Sequence, residues 1–189
     1  MIVIVPYQRE WPEEFERLGR ALRVALGGLA VRIDHIGSTA VPGLAAKNII
    51  DIQVTASALT AEIDVALTGA GYDRLVDILP DHFPPGASDE PEQWAKWFYH
   101  QRGAARWVNL HVRLQGRSNQ RYALLFRDYL RAHPMAAAAY GQAKTALAHY
   151  HADDIEAYYE VKDPVCDIII AGAESWAAAT GWEPGPSDQ

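Results

Sequence analysis

Phe15, Leu18, Leu22 and Leu26 recur at helical spacing and predict a first helix, opened near Pro12 and stopped by Gly27-Gly28. A proline is harmless in the first turn, where its missing N–H would have had no intrahelical partner. From Val31 the period falls to two: Val31 and Ile33 alternate with polar neighbours and lead into Gly37-Ser38. Ile49–Val54 predicts a second strand. Ile50, Ile52 and Val54 share one face of it, which places Asp51 and Gln53 together on the other. A helix follows over about 59–68, closed by Gly69-Ala70-Gly71, and the Pro-, Gly- and Asp-rich stretch from Leu79 to Glu92 reads as a loop or flap. Strands over Ala95–His100 and Trp107–Leu114 flank Gly103 as a hairpin. In the second of them Val108, Leu110, Val112 and Leu114 alternate with Trp107, Asn109, His111 and Arg113. The opening Met1–Val5 also reads as a strand.

After Leu114 the pattern becomes helical: Asn119–Ala132, Met135–Tyr150, Ile155–Val161 and Val165–Ala179. Asp163-Pro164 suits the N-cap and first position of the last helix. Strand-rich residues 1–114 and helical residues 115–180 predict one α+β domain, a small mixed sheet with flanking helices and a helical C-terminal part. Residues 181–189 are expected to form a flexible tail.

A chain of 189 residues, 49% apolar and 22% charged, can bury a core without staples. Cys166 is the only cysteine, which excludes an internal disulfide and a thiolate zinc cluster. No run approaches the roughly 20 apolar residues of a membrane span, and no signal-peptide pattern opens the chain, so a cytoplasmic location is expected. A net charge of -7 argues against general nucleic-acid binding. The charge is uneven, however. Arg113, Arg117, Arg121, Arg127 and Arg131 crowd one region, and they read either as a pocket for a small, nucleotide-like anion or as solvated helix faces.

The chemistry concentrates at two strand ends. Gly37-Ser38 can offer backbone N–H groups and a hydroxyl to a phosphate, and twelve residues separate Ser38 from Asp51. That arrangement resembles the nucleotidyltransferase superfamily, in which a Gly-Ser turn grips a triphosphate and two acids on the next strand hold divalent metals. A longer run resembles the GrpB family: His35-Ile36-Gly37-Ser38-Thr39-Ala40-Val41-Pro42-Gly43-Leu44-Ala45-Ala46-Lys47-Asn48-Ile49-Ile50-Asp51-Ile52. Tyr7 to Trp11, Gly71-Tyr72, Asn109 to Val112, Phe126 to Arg131, Tyr140, Lys144 and Lys162 also fit it. The resemblance covers nearly the whole chain. It implies a nucleotidyltransferase-like fold and, because the family also occurs fused to some dephospho-CoA kinases, a protein partner related to coenzyme A metabolism.

On that resemblance Asp51, Ser38 and His111 are the candidate catalytic residues. Gly37, Ser38, Lys47, Arg113 and Arg127 are candidates for phosphate, and Asp51, Gln53 and His111 for a divalent Mg or Mn ion. His35 and Lys144 are further candidates. Position 53 holds Gln where the superfamily has a second acid, and the neighbouring strand offers Asn109 and His111 in place of a third. One carboxylate holds Mg²⁺ poorly. Two readings therefore stand: metal-dependent transfer of a nucleotidyl or phosphoryl group, or a non-catalytic nucleotide- or anion-binding module. Each residue also has a plainer role open to it: a hydrogen-bonded structural His35, surface lysines at 47 and 144, and Arg127 paired with an acid.

Overall fold

The computed structural model describes residues 1–76 and 81–189. The first helix, α1, runs Glu10–Leu26, and its Trp11, Phe15, Leu18, Leu22 and Leu26 are buried, as the spacing requires. β1 (Arg32–Ile36), β2 (Ile49–Ala56), α2 (Ala61–Gly69) and β3 (Tyr72–Arg74) follow. Next come α3 (Pro91–Trp94), β4 (Lys96–Gln101), β5 (Trp107–Leu114), α4 (Ser118–Ala132), α5 (Pro134–Tyr150) and α6 (Ile155–Thr180). The fold is α+β. The strands form one mixed sheet in the order β1-β2-β5-β4-β3. β2 pairs antiparallel with β1 and parallel with β5, while β4 and β5 form the expected antiparallel hairpin.

The sheet has two unlike faces. Ile33, Ile50, Ile52, Val54, Val108, Leu110 and Val112 join the α1 and α2 side chains in the main core. On the other face the register sets Asp51 against Asn109, Gln53 against His111 and Thr55 against Arg113. Helices α4, α5 and α6 pack over one another on that side through smaller apolar clusters, around Leu130 and Tyr140 and around Leu125, Ile170 and Ala173. Polar sheet residues therefore meet a helical layer instead of water.

Five segments differ from the periodicity. Met1–Val5 makes only an isolated bridge, Val5 to Ala46, and is not a strand. β3 and α3 are too short to show a period. The loop expected over 79–92 is interrupted by α3, and its Leu79 and Pro80 lie outside the described residues. Asp163-Pro164 does not start a helix: α6 runs through Pro164. An interior proline costs ~3 kcal/mol or more. Here Tyr158 before it and Cys166, Ile170 and Ala173 after it are all buried, and their packing offsets the proline. Residues 185–189, expected to be flexible, lie along the free edge of β1, where Gln189 N donates to Ile33 O and Ile33 N to Ser187 Oγ. An unpaired edge is a row of unsatisfied donors and acceptors, and this segment satisfies part of it.

Candidate functional site

Gly37 closes β1 with φ 70° and ψ −171°, a conformation open to glycine but not to residues with a side chain. A Cβ here would also lie 2.5 Å from Asp51 Oδ2. The turn thus passes directly over the Asp51 carboxylate and delivers Ser38 to the same side. Asp51 Oδ1 accepts from Asn109 Nδ2 at 2.8 Å, and Asn109 is oriented in turn by Trp107 Nε1–H donating to its Oδ1 at 2.8 Å. His111 Nε2 stands 3.9 Å from Asp51 Oδ1. Burial pushes the Asp51 carboxyl up, but the facing His111, the Asn109 hydrogen bond and Lys47 more than offset it, and the group lies below its ordinary value.

His111 is lowered to about 4, first by burial and then by Arg113. Arg113 Nη2 lies 3.4 Å from His111 Nδ1. A guanidinium can only donate, so Nδ1 accepts and the ring proton sits on Nε2, facing Asp51. Arg113 is itself fully engaged. Nη1 donates to Gln53 Oε1 at 2.6 Å, and Nε and Nη2 meet Asp81 Oδ2 at 2.9 and 2.8 Å. Lys96 and Asn119 also reach Asp81. Burial pushes Asp81 up, yet Arg113 and Lys96 hold it far below the usual carboxylate range.

Across from the sheet, α5 and α6 supply cations and tyrosines. Lys144 is 3% exposed, and its Nζ donates to Ser38 Oγ at 2.7 Å and lies 4.5 Å from the Tyr140 ring centre. Burial lowers Lys144 to about 7. Lys47 Nζ donates to Tyr159 Oη at 2.9 Å and lies 4.9 Å from that ring, on whose face Lys162 also sits at 5.2 Å. Lys162 pairs with Asp163 at 2.7 Å. Among the described residues no carboxylate lies within ion-pair distance of Lys47 or Lys144. These groups line one cavity of about 490 Å³, bounded by the Gly37-Ser38 turn, Asp51, Asn109, His111, Arg113 and the three lysines.

The cavity gathers Gly37, Ser38, Lys47, Asp51, His111, Arg113 and Lys144, all named from the sequence. Three named residues stand apart and are corrected. Gln53, expected as a metal ligand, is 0% exposed; its amide oxygen accepts from Arg113 and its nitrogen donates to Gln120 O. Arg127, expected at a phosphate, is buried in an ion-pair hub with Asp128 and Asp188 and donates to the His35 carbonyl. His35 stacks on Phe15 at 4.7 Å and meets Thr39 Oγ1 at 3.0 Å; burial lowers it to about 3, so it is a neutral structural ring. The other clustered arginines do not build the pocket either: Arg121 pairs with Glu174 and Arg131 donates to Ala40 O. Asp81, Lys96 and Tyr159 were missed, for they sit in a Pro-rich loop, an irregular hairpin strand and an exposed helix turn without a distinguishing period. Among the described residues no group of three or more His, Cys, Asp or Glu side chains is placed to hold a metal ion. None of the described helices is long and apolar enough to cross a membrane.

Fold and cleft together define an α+β protein with a cation-lined cavity between a mixed sheet and a helical layer. The family described as GrpB protein matches residues 1–171, and the chain belongs to the GrpB family. A dephospho-CoA kinase of Mycolicibacterium paratuberculosis is 38% identical over 195 aligned residues, which cover 96% of this chain and 48% of that protein. The chain thus spans about half the length of the dephospho-CoA kinases it matches. A UPF0157 protein of Halalkalibacterium halodurans is 33% identical, with 92% of this chain and 83% of that protein covered. The crystal structure of the conserved protein GrpB from Enterococcus faecalis superposes with a TM-score of 0.73 at 30% identity, covering 92% of this chain and 99% of that one.

Proposed function

We propose that the protein binds a small, phosphate-bearing, nucleotide-like anion in the cavity between Ser38 and α5–α6, using fixed side-chain cations. The observation that carries this is the pair Lys47 and Lys144, which face one cavity and have no carboxylate partner among the described residues. Buried or half-buried cations are ordinarily paired, and a ligand anion is the partner that completes these two. Tyr140, Tyr158 and Tyr159 add flat aromatic walls suited to an amphipathic ligand. Because the matching dephospho-CoA kinases carry this region, dephospho-CoA and coenzyme A are the first ligands to test beside nucleotides.

The donor set does not fit a divalent metal well. Gln53 Oε1 is committed to Arg113, the His111 tautomer points a proton where a metal would bind, and Asp51 is left as the single charged ligand. The Arg113 guanidinium, which donates to Gln53 and faces His111 Nδ1, adds a positive charge beside both remaining candidate ligands. Transfer of a nucleotidyl or phosphoryl group through bound Mg or Mn is therefore the less supported reading. Calorimetric titration separates the two. Nucleotide or coenzyme A binding is expected with equal affinity in EDTA and in Mg²⁺, and weakened by Lys144→Met. Binding that appears only with Mg²⁺ or Mn²⁺ and is lost in Asp51→Asn would favour the transfer reading.

A further inference from the structure

The cations of this cavity fall into two groups with different charge balance. On the sheet side Arg113 and Lys96 share the Asp81 carboxylate. On the helix side Lys162 is neutralised by Asp163, while Lys47 and Lys144 have hydroxyl and ring partners only: Tyr159 for the first, Ser38 and Tyr140 for the second. Lys47 and Lys162 both lie near one ring, that of Tyr159. Among the described residues these two amines thus have no carboxylate in direct contact at this end of the cavity, beside a hydroxyl at the end of a glycine turn, and the Asp51 carboxylate acts on both only across the cavity.

We propose that this lysine end is a seat for the terminal phosphate of a phosphomonoester, taken as the dianion, and that it discriminates against phosphodiesters. The proposal rests on the anion-binding reading above and deepens it. A phosphomonoester has a second ionisation near pH 6 and carries about two negative charges at neutral pH, which matches Lys47 and a Lys144 that is protonated in the complex. A diester carries one charge and blocks one of the oxygens that Ser38, Lys47 and Lys144 would contact. Charge-assisted hydrogen bonds to phosphate oxygens are the strong ones, so losing one oxygen and one charge weakens binding by about tenfold or more.

Proton linkage follows from the same geometry. Lys144 is enclosed by Ser38 on the turn, Lys47 on the loop before β2, Asp51 on β2, Tyr140 on its own helix, and Lys162 and Cys166 on α6. Burial is the largest influence on it and releases its proton near pH 7; Lys162 and Lys47 act in the same direction, with Cys166 and Asp51 opposing. A bound dianion reverses that balance by giving the ammonium an opposite charge in direct contact. Ligand binding at pH 8 therefore takes up most of one proton at Lys144, and affinity falls about tenfold per pH unit above pH 8.

The test is calorimetry on the intact protein with adenosine 5'-monophosphate against adenosine 3',5'-cyclic monophosphate. Titrations at pH 8 in two buffers of different ionisation enthalpy count the protons taken up. The expected result is preference for the monoester by about tenfold or more, with uptake of most of a proton. In Lys144→Arg, which cannot release its proton, uptake should vanish and monoester binding should become flat with pH. Ser38→Ala, a smaller change, keeps the proton uptake and lowers affinity for the monoester more than for the diester. Equal affinity of the two nucleotides in wild type, or monoester binding at pH 8 with no proton uptake, overturns the dianion seat while leaving anion binding in place. Failure of both nucleotides, orthophosphate and coenzyme A to bind overturns the anion-binding reading and this inference with it.

Discussion

Lys144 places an ionisable amine where the fold tolerates it poorly in its charged form. Its value in the fold is lowered to about 7 from an ordinary 10.5, with burial as the main cause. Between those values the unfolded chain holds a proton that the folded chain has lost, so stability rises as pH rises through that window. Lys144→Met should flatten this dependence and raise stability at pH 7 by up to a few kcal/mol, as measured by denaturant melts, while weakening anion binding. Unchanged stability across pH 7–10 in wild type would contradict the burial of a titrating amine.

Two buried histidines, His111 in the cleft and His35 behind it, act in the same direction in the acid range. His111 is lowered to about 4 and His35 to about 3, both chiefly by burial. The unfolded chain binds protons at these rings from about pH 6.5 downward. Stability present above that value is therefore lost as pH falls toward 4, and further toward 3 for His35. Ring-proton NMR should show both histidines neutral at pH 5.5. A midpoint near 6.5 for His111 would mean that the ring is neither buried nor faced by Arg113, and the case against a metal at Nε2 would weaken.

Much of this residue-level picture was legible in the sequence, because period-two alternation put Asp51 in line with Asn109 and His111 on one face of the sheet. Arg127 was misread for a physical reason. Its partners Asp188 and the His35 carbonyl lie 61 and 92 residues away, and no local pattern reports a contact that distant. Gln53 looked like a damaged metal ligand, and only the cross-strand position of Arg113 shows that the amide oxygen has another partner.

Among the elements, the turn at Gly37 joins β1 to the site most tightly. Gly37→Ala faces both a positive φ of 70° and a Cβ 2.5 Å from Asp51 Oδ2. The expected loss is about 1–3 kcal/mol, partly relieved in the double variant Gly37→Ala/Asp51→Ala. Additive losses in that cycle would show that the turn and the carboxylate are not in contact. Helix α6 offers a second case. Proline is normally a boundary signal and the sequence predicts a helix end there, but buried Tyr158 and Cys166 on either side carry the helix across Pro164. Pro164→Ala should raise the thermal midpoint. The gain stays below ~3 kcal/mol, because proline also restricts the unfolded chain. A fall in midpoint would mean that α6 needs the proline's geometry. Beside these elements, the placement of 185–189 along β1 is not readable from the sequence, because it comes from contacts of Ser187, Asp188 and the Gln189 backbone with residues about 150 positions away and from no pattern of its own.

At the scale of the whole molecule, one sheet face builds the core and the other a cavity. The acidic net charge of -7 conceals a local excess of cations where Lys47, Lys144, Lys162, Lys96 and Arg113 converge. A second cavity of about 630 Å³ lies between residues 84–88 and α6, lined by Pro84, Pro85, Trp94, Ile168, Ile170 and Ala171, and is mostly apolar. The two cavities offer contrasting destinations for a ligand. Backbone amide shift mapping with adenosine 5'-monophosphate tests the central claim most directly, since it reports where an anion binds without any substitution. The account predicts that the largest shifts fall at Gly37, Ser38, Thr39, Lys47, Asn109 and Lys144, and that they diminish as salt is raised. Shifts centred instead on Ala87, Trp94, Ile168 and Ala171, or none at millimolar ligand, would contradict it.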